Sequence, residues 1–274
     1  MAPLSNALHI WNGNRSETRA KFEAVLLEKL LLHTKTVASP DQLIICHAPR
    51  DTDQAEGNIF AEGFDITISI ADNPKFLNVD KIVVPQVVDF GILGCRAGLI
   101  KADNLKRYRA MTTSDLQQTR MVFPRDWSDL RIYQENRFNV VGCQSLDDAV
   151  HKVATEQADF LPLGINEIAQ IKTSYQNTHP MLAIEAYHLL YYPMPLQIYC
   201  HARHKRLSQA LSRGLLDLTQ RGYLRQLFNA HYGAAIEACD LDQRTVHRLD
   251  NPLLGHGSPF LRYLSPLISK VDGN

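Results

Sequence analysis

One stretch constrains this chain more than any other: Phe138–Glu167, FNVVGCQSLDDAVHKVATEQADFLPLGINE. Phe138–Val141 is a short apolar run rich in β-branched residues and bounded by Gly142, the pattern of a buried strand. Ser145 followed by Asp148 resembles a capping box with Asp in place of Glu, and Asp147 and Asp148 suit the positive end of a helix dipole. Leu146, Val150, Val153 and Ala154 give that helix one apolar face. Asp159–Leu161 supplies a second strand, and the Pro162-Leu163-Gly164 break puts Asn166 and Glu167 at a helix start. Open α/β sheets bind small ligands where strand carboxyl ends meet helix amino ends, so this crossover predicts a chain built to hold a small molecule.

The rest of the sequence extends the pattern. Ala7–Trp11, Leu43–His47 and Phe64–Ile70 (FDITISI) read as strands. They alternate with a helix capped by Ser16 and a shorter one that opens at Asp51, runs through Phe60 and closes at Gly63. This is β-α-β-α-β, the opening half of a parallel sheet. Phe90–Ile100 (FGILGCRAGLI) is extended and glycine-bearing, with no helix before it, and predicts a crossing into a second lobe. Arg120–Phe123 and Met181–Tyr187 add strands there, and Leu196–His201 (LQIYCH) predicts the return. Two helices follow, Lys205–Gln220 and Tyr223–Tyr232, and the segment from Glu237 onward reads as irregular chain wrapping a surface. The expected architecture is α/β, two lobes joined by two hinge strands, with residues 1–94 and 198–274 in the first lobe and 95–197 in the second.

Composition narrows the partners. Lysine plus arginine and aspartate plus glutamate stand at 29 each, which argues against nucleic acid as a main partner. No apolar run approaches the ~20 residues of a membrane helix. The start, MAPLSNALHI, lacks a signal-peptide apolar core, leaving a cytoplasmic N-terminus or a leader already removed. Five cysteines (Cys46, Cys95, Cys143, Cys200, Cys239) contain no C-x-x-C pair and read as small buried hydrophobes. His201 and His204 beside Cys200 form the one tight metal-type cluster, and strand alternation favours a surface cluster over a metal site. No metal or cofactor is expected.

With these elements placed, the chain resembles the type 2 periplasmic solute-binding proteins of the amino-acid-binding kind. The marks are the opening that ends in FDITISI, the crossing FGILGCRAGLI and the closing helices LSRGLLDLTQRGYLRQLFNAHYG. A narrower bacterial subgroup is closer. It carries a W-x-D element, here in Asp126-Trp127-Ser128-Asp129, and a D-Y/F-x-P-x-G-x-N-E element, here Asp159 to Glu167. It also carries Y-P-x-P at Tyr192–Pro195 and N-P-L at Asn251–Leu253. The resemblance implies a non-catalytic, extracytoplasmic solute-binding protein of an ABC-type transport system. Its partners would be a small-molecule ligand and a membrane permease or membrane-bound sensor, and the chain a periplasmic monomer. Two anion anchors of the family are missing. The segment after the third strand reads Ile70-Ala71-Asp72-Asn73-Pro74-Lys75-Phe76 without arginine, and Leu163 stands where the subgroup often has arginine. A bidentate guanidinium is not replaced by leucine, so a neutral, cationic or non-amino-acid solute is expected as readily as an amino acid. The alternatives are a sensing module for signal transduction and a cyclohexadienyl-dehydratase-like enzyme with Glu167 or Asp126 as general acid.

The candidate ligand-binding residues follow from strand-end placement and from the resemblance. Trp11, Asn12 and Arg15 follow the first strand. Ser69, Ile70 and Asp72 close the third. Arg125 and Trp127 sit between a strand and a helix. Leu163 and Asn166 lie in the D-F-L-P-L-G-I-N-E element. Against each stands a structural role: Trp11 and Trp127 as core, Arg15 on a solvated loop, Asp126 as a helix cap, Asp159 as a hydrogen-bonding strand residue, and Glu167 as a first-turn dipole partner.

Overall fold

The structure is a computed structural model that describes residues 7–268, so the first six residues of the MAPLSNALHI start lie outside it. The chain opens with β1 (Leu8–Trp11), α1 (Glu17–His33), β2 (Leu43–Cys46), α2 (Asp53–Gly57), β3 (Ile66–Ile70) and β4 (Lys81–Val83). There follow β5 (Cys95–Lys101), α3 (Leu105–Tyr108), α4 (Thr113–Gln118), β6 (Met121–Pro124), α5 (Ser128–Glu135), β7 (Val140–Cys143), α6 (Leu146–Ala154), β8 (Leu161–Gly164), α7 (Ile168–Ser174), β9 (Leu182–Ile184) and β10 (His188–Tyr191). The chain closes with β11 (Leu196–His201), α8 (Lys205–Gln220), α9 (Tyr223–Ala238) and β12 (Thr245–Arg248).

These elements form two compact units. The first comprises Met1–Asp89 with Pro195–Gly233, and the second Phe90–Met194 with Ala234–Asn274. The first unit holds a sheet in the order β2-β1-β3-β11-β4, with β1 parallel to β2 and β3, and β11 antiparallel to β3 and β4. Residues on both faces of β3 are buried, as FDITISI requires of a central strand. Trp11, Ile59, Phe60, Phe76 and Tyr199 pack as a cluster in this unit. The leucine stripe of α8 is buried, and Gly214 lets α8 approach α1: a Cβ there would lie 2.3 Å from the Thr34 methyl carbon.

The second unit holds a sheet in the order β12-β10-β5-β8, with β9 also on β5, and a parallel pair β6-β7. β6 continues through a parallel bridge from Met121 to Phe160. The crossover of the opening stretch therefore spans β6, which lies between β7 and the residue leading into β8. Gly98 of β5 lies flat on the Phe160 ring, where a Cβ would come within 2.1 Å of its tip.

Three sequence expectations are corrected. Phe90–Ile100 is not one strand: Phe90 and Gly91 are left-handed (φ 51° and 72°), a 3-10 turn covers Ile92–Gly94, and only then does β5 begin. Met181–Tyr187 is not one strand either. The Glu185 carboxylate accepts the amides of Tyr187 (2.6 Å) and His188 (2.9 Å), turning the chain between β9 and β10. The C-terminal segment belongs to the second unit, not the first, because β12 pairs in parallel with β10. The chain consequently passes between units three times, at Asp89–Phe90, at Met194–Pro195 and within α9 at Gly233–Ala234.

Candidate functional site

In the second unit a buried polar cluster gathers on Arg96, at the second position of β5 and only 5% exposed. A charge at that depth must be paired. Its Nε donates to Tyr192 Oη at 2.7 Å, Nη2 pairs with Asp129 Oδ1 at 2.8 Å, and Nη1 lies 3.8 Å from Glu167 Oε1. Tyr192 Oη in turn donates to Asp129. Burial pulls the Arg96 pKa down, but Asp129, Tyr192 and Glu167 outweigh it and hold the guanidinium above its ordinary value. Burial pushes the Tyr192 and Tyr133 phenols well up, so both stay protonated as donors.

Two polar atoms beside this cluster are buried with no hydrogen-bond partner among the described residues: Asn166 Oδ1 and Tyr133 Oη. Buried polar atoms are nearly always paired. Asn166 is 5% exposed. Gly164, the last residue of β8, makes the convergence possible. A Cβ on Gly164 would sit 2.4 Å from Asn166 Oδ1, 3.1 Å from Arg96 Nη1 and 3.2 Å from Glu167 Oε1. One guanidinium against two carboxylates leaves the cluster with an excess of negative charge.

In the first unit the strand ends carry a second polar cluster. Arg15 Nε donates to Gly13 O (2.7 Å), Nη1 donates to Ile68 O (3.1 Å) and pairs with Glu23, and the guanidinium lies 5.1 Å from the Trp11 ring centre. Arg19 Nε reaches the same Glu23 at 2.6 Å. Burial lowers the Arg15 pKa despite Glu23, whereas for Arg19 the pairing with Glu23 outweighs burial. After β3, Asn73 Nδ2 donates to Ser69 Oγ (2.7 Å), and Tyr199 Oη donates to Ile70 O (2.8 Å). Where the resemblance implies an arginine, the chain has a left-handed Asp72 (φ 53°) followed by a short 3-10 turn capped by Asn73.

The ten candidates fall as follows. Trp11 is buried in the first unit's aromatic cluster, its Nε1 donating to Ala48 O. Asn12 is buried, donating to Ala20 O with its own Oδ1 unpartnered. Arg15 is engaged by Glu23 and backbone carbonyls. Ser69 is buried, Ile70 half-buried and Asp72 exposed. Arg125 is exposed and lies along Gly142, while Trp127 is half-buried at the start of α5, giving no side-chain cap. Leu163 is fully buried in β8, and Asn166 lies in the Arg96 cluster. The contacts thus join Trp11 to Arg15, and gather Asn166, Arg96 and Glu167 around Gly164.

Arg96, Tyr192, Tyr133 and Glu23 were missed. For Arg96 a signal existed: an arginine inside the apolar run FGILGCRAGLI demands a buried partner. His201 Nδ1 accepts the Arg203 amide, and His204 Nε2 pairs with Asp65 at 2.6 Å. All five cysteines are free thiols, and no metal-type cluster occurs among the described residues.

No family sequence model and no curated protein sequence matches the chain. Solved structures do. The GluR0 ligand-binding core in complex with L-glutamate matches at 13% identity and TM-score 0.57, over 84% of this chain and 99% of its own length. The Bacillus subtilis ytmK protein, a probable amino-acid ABC transporter extracellular-binding protein, matches at 10% identity and TM-score 0.59, over 83% of this chain and 98% of its own. A histidine kinase sensor domain with similarity to periplasmic binding proteins matches at 13% identity and TM-score 0.56, over 82% and 95%. At such identities the likeness speaks to the backbone, and on that ground this chain has the type 2 periplasmic binding-protein fold, built from two α/β units.

Proposed function

We propose that this chain is an extracytoplasmic binding protein for a small polar solute, serving an ABC-type transport system through a membrane permease. The observation that carries the reading is the Arg96 cluster: a satisfied ion pair, at a strand end of a binding-protein fold, beside two buried and unpartnered polar atoms on Asn166 and Tyr133. Asn166 is the candidate ligand contact best supported by geometry, with Arg96, Asp129 and Tyr192 fixing the groups around it. In the first unit, Ser69, Ile70 and Asp72 are the strand-end groups proposed to contact solute. Arg15, absorbed by Glu23, acts there as a positioning residue. The missing arginine anchors and the excess carboxylate favour a neutral or cationic ligand over an anionic one. The chain is read as a monomer; among the described residues no helix is long and apolar enough to cross a membrane.

Binding rather than catalysis is favoured because the buried carboxylates are engaged. Asp129 is held by Arg96 and Tyr192, and Glu167 faces Arg96, while Asp126 is exposed. A sensing role is the second reading, supported by the likeness to the kinase sensor domain. Native mass spectrometry of the chain mixed with pooled amino acids, polyamines, organic acids and sugars tests the proposal. A retained small-molecule adduct that is lost in Asn166→Ala is expected, and a chain bare in every pool would overturn it.

A further inference from the structure

The C-terminal segment does more than cover a surface. It bonds to residues of the second unit beside two of the three crossings, the entry at Asp89–Phe90 and the exit at Met194–Pro195. At the entry, Ser265 Oγ donates to Phe90 O at 2.7 Å, and Tyr263 lies against Gly91, where a Cβ would meet its ring at 2.6 Å. At the exit, Tyr191 Oη donates to Tyr263 O (2.8 Å) and accepts from the Ser265 amide (2.9 Å), Leu249 N donates to Tyr191 O (2.8 Å), and Asn251 Nδ2 donates to Pro193 O (2.7 Å).

The segment is itself fastened upstream by two buried imidazoles, His247 on β12 (4% exposed) and His188 on β10 (2% exposed). Their directions are fixed by chemistry. Tyr108 O can only accept, so His188 Nε2 carries a proton (2.7 Å); in the neutral pair His247 Nε2 then donates to His188 Nδ1 (2.9 Å), and Thr113 Oγ1 donates to His247 Nδ1 (2.8 Å). The groups around the pair are Glu185, whose carboxylate is occupied by the Tyr187 and His188 amides and lies 3.6 Å from Arg244; Arg244, which donates to His188 O and Cys239 O; and the Tyr108 phenol, which donates to Asp159 O. None of these contacts places a carboxylate on either ring.

We propose that the segment from Thr245 to Ile268 is a strap beside these two of the three crossings, clasped by the His188–His247 hydrogen bond and loosened by acid. Burial, and then His188, lower the His247 pKa from 6.5 to about 4. Neutral pH therefore favours the clasped form in full. As pH falls from 6.5 toward 4, the released imidazole takes a proton that the clasped one refuses, and the strap weakens. The inference stands independently of which solute is bound.

Hydrogen exchange on the full chain, corrected for intrinsic rates, tests it. The amides to follow are Thr245 and Leu249, which bond to Tyr187 O and Tyr191 O, Ser265, which bonds to Tyr191 Oη, and Gly94 and Tyr192, which bond to Gly91 O and Gly94 O. Between pH 7.5 and 5.0 their protection should fall by about tenfold or more, with the β3 amides unchanged. His247→Gln, which keeps a donor for His188 but cannot titrate, should flatten that dependence. Equal protection at both pH values in the unmodified chain, or an unchanged pH dependence in the glutamine variant, would overturn the proposal. Tyr191→Phe should expose the same amides at neutral pH; if Ser265 stays protected there, the strap is not held as described.

Discussion

Tyr191 and Tyr192 are consecutive, yet their hydroxyls serve different partners. Tyr191 Oη bonds Tyr263 O and the Ser265 amide, while Tyr192 Oη accepts from Arg96 Nε and donates to Asp129. Extended backbone sends neighbouring side chains to opposite faces. One short segment therefore joins the C-terminal segment to the polar cluster. Tyr191→Phe and Tyr192→Phe should each cost about 1–3 kcal/mol, since each strands a buried partner. Sharing one backbone, the two changes should depart from additivity by at least about 0.5 kcal/mol in a double-mutant cycle read by urea unfolding.

The Arg96–Asp129 pair gives a sharper energetic test. Arg96→Met leaves two carboxylates without their cation and should cost about 3–5 kcal/mol. Adding Asp129→Leu removes one of the stranded charges and should recover a substantial part of that loss. Denaturant midpoints of the two variants report it, and a double variant no more stable than the single would show that the pair matters through packing alone.

The first unit has an acid-sensitive tie at the start of β3. The Asp65 carboxylate accepts the His9 amide (2.9 Å) and pairs with Arg203 and His204 (2.6 Å each). Burial works against its charge, but the Arg203 and His9 bonds prevail and hold its pKa below 3.8. A depressed carboxylate contributes stability that is present above the unfolded pKa and lost as pH falls through the folded one. Asp65→Asn should therefore cost on the order of 1–3 kcal/mol at pH 6. The gap from the unmodified chain should narrow below pH 3.8, as followed by urea unfolding at stepped pH.

Much of the architecture could be read from periodicity and punctuation. LQIYCH matches β11 residue for residue, and Ser16 and Ser145 cap α1 and α6, accepting the amides of Arg19 and Asp148. The box at Ser145 differs in detail, because the Asp148 carboxylate turns to the Gln144 amide instead of the cap's own. What escaped the sequence was set by distant contacts. Nothing local reveals that Glu185 will turn the chain, that Thr245–Arg248 will find β10, or that Tyr192 and Asp129 will meet Arg96. Trp11 and Arg15 show the same limit from the other side: their strand-end position was legible, but not the aromatic packing and the Glu23 pairing that absorb them.

Solute capture is tested most directly by thermal unfolding against a panel of amino acids, polyamines, organic acids and sugars, on the unmodified chain and on Asn166→Ala. A true ligand at about 100 times its Kd should stabilise the unmodified chain by about 2.7 kcal/mol, with neutral or cationic compounds acting before anionic ones and Asn166→Ala losing the shift. A panel without effect on the unmodified chain, or a shift that persists undiminished in Asn166→Ala, would contradict the account of a solute held at the Arg96 cluster.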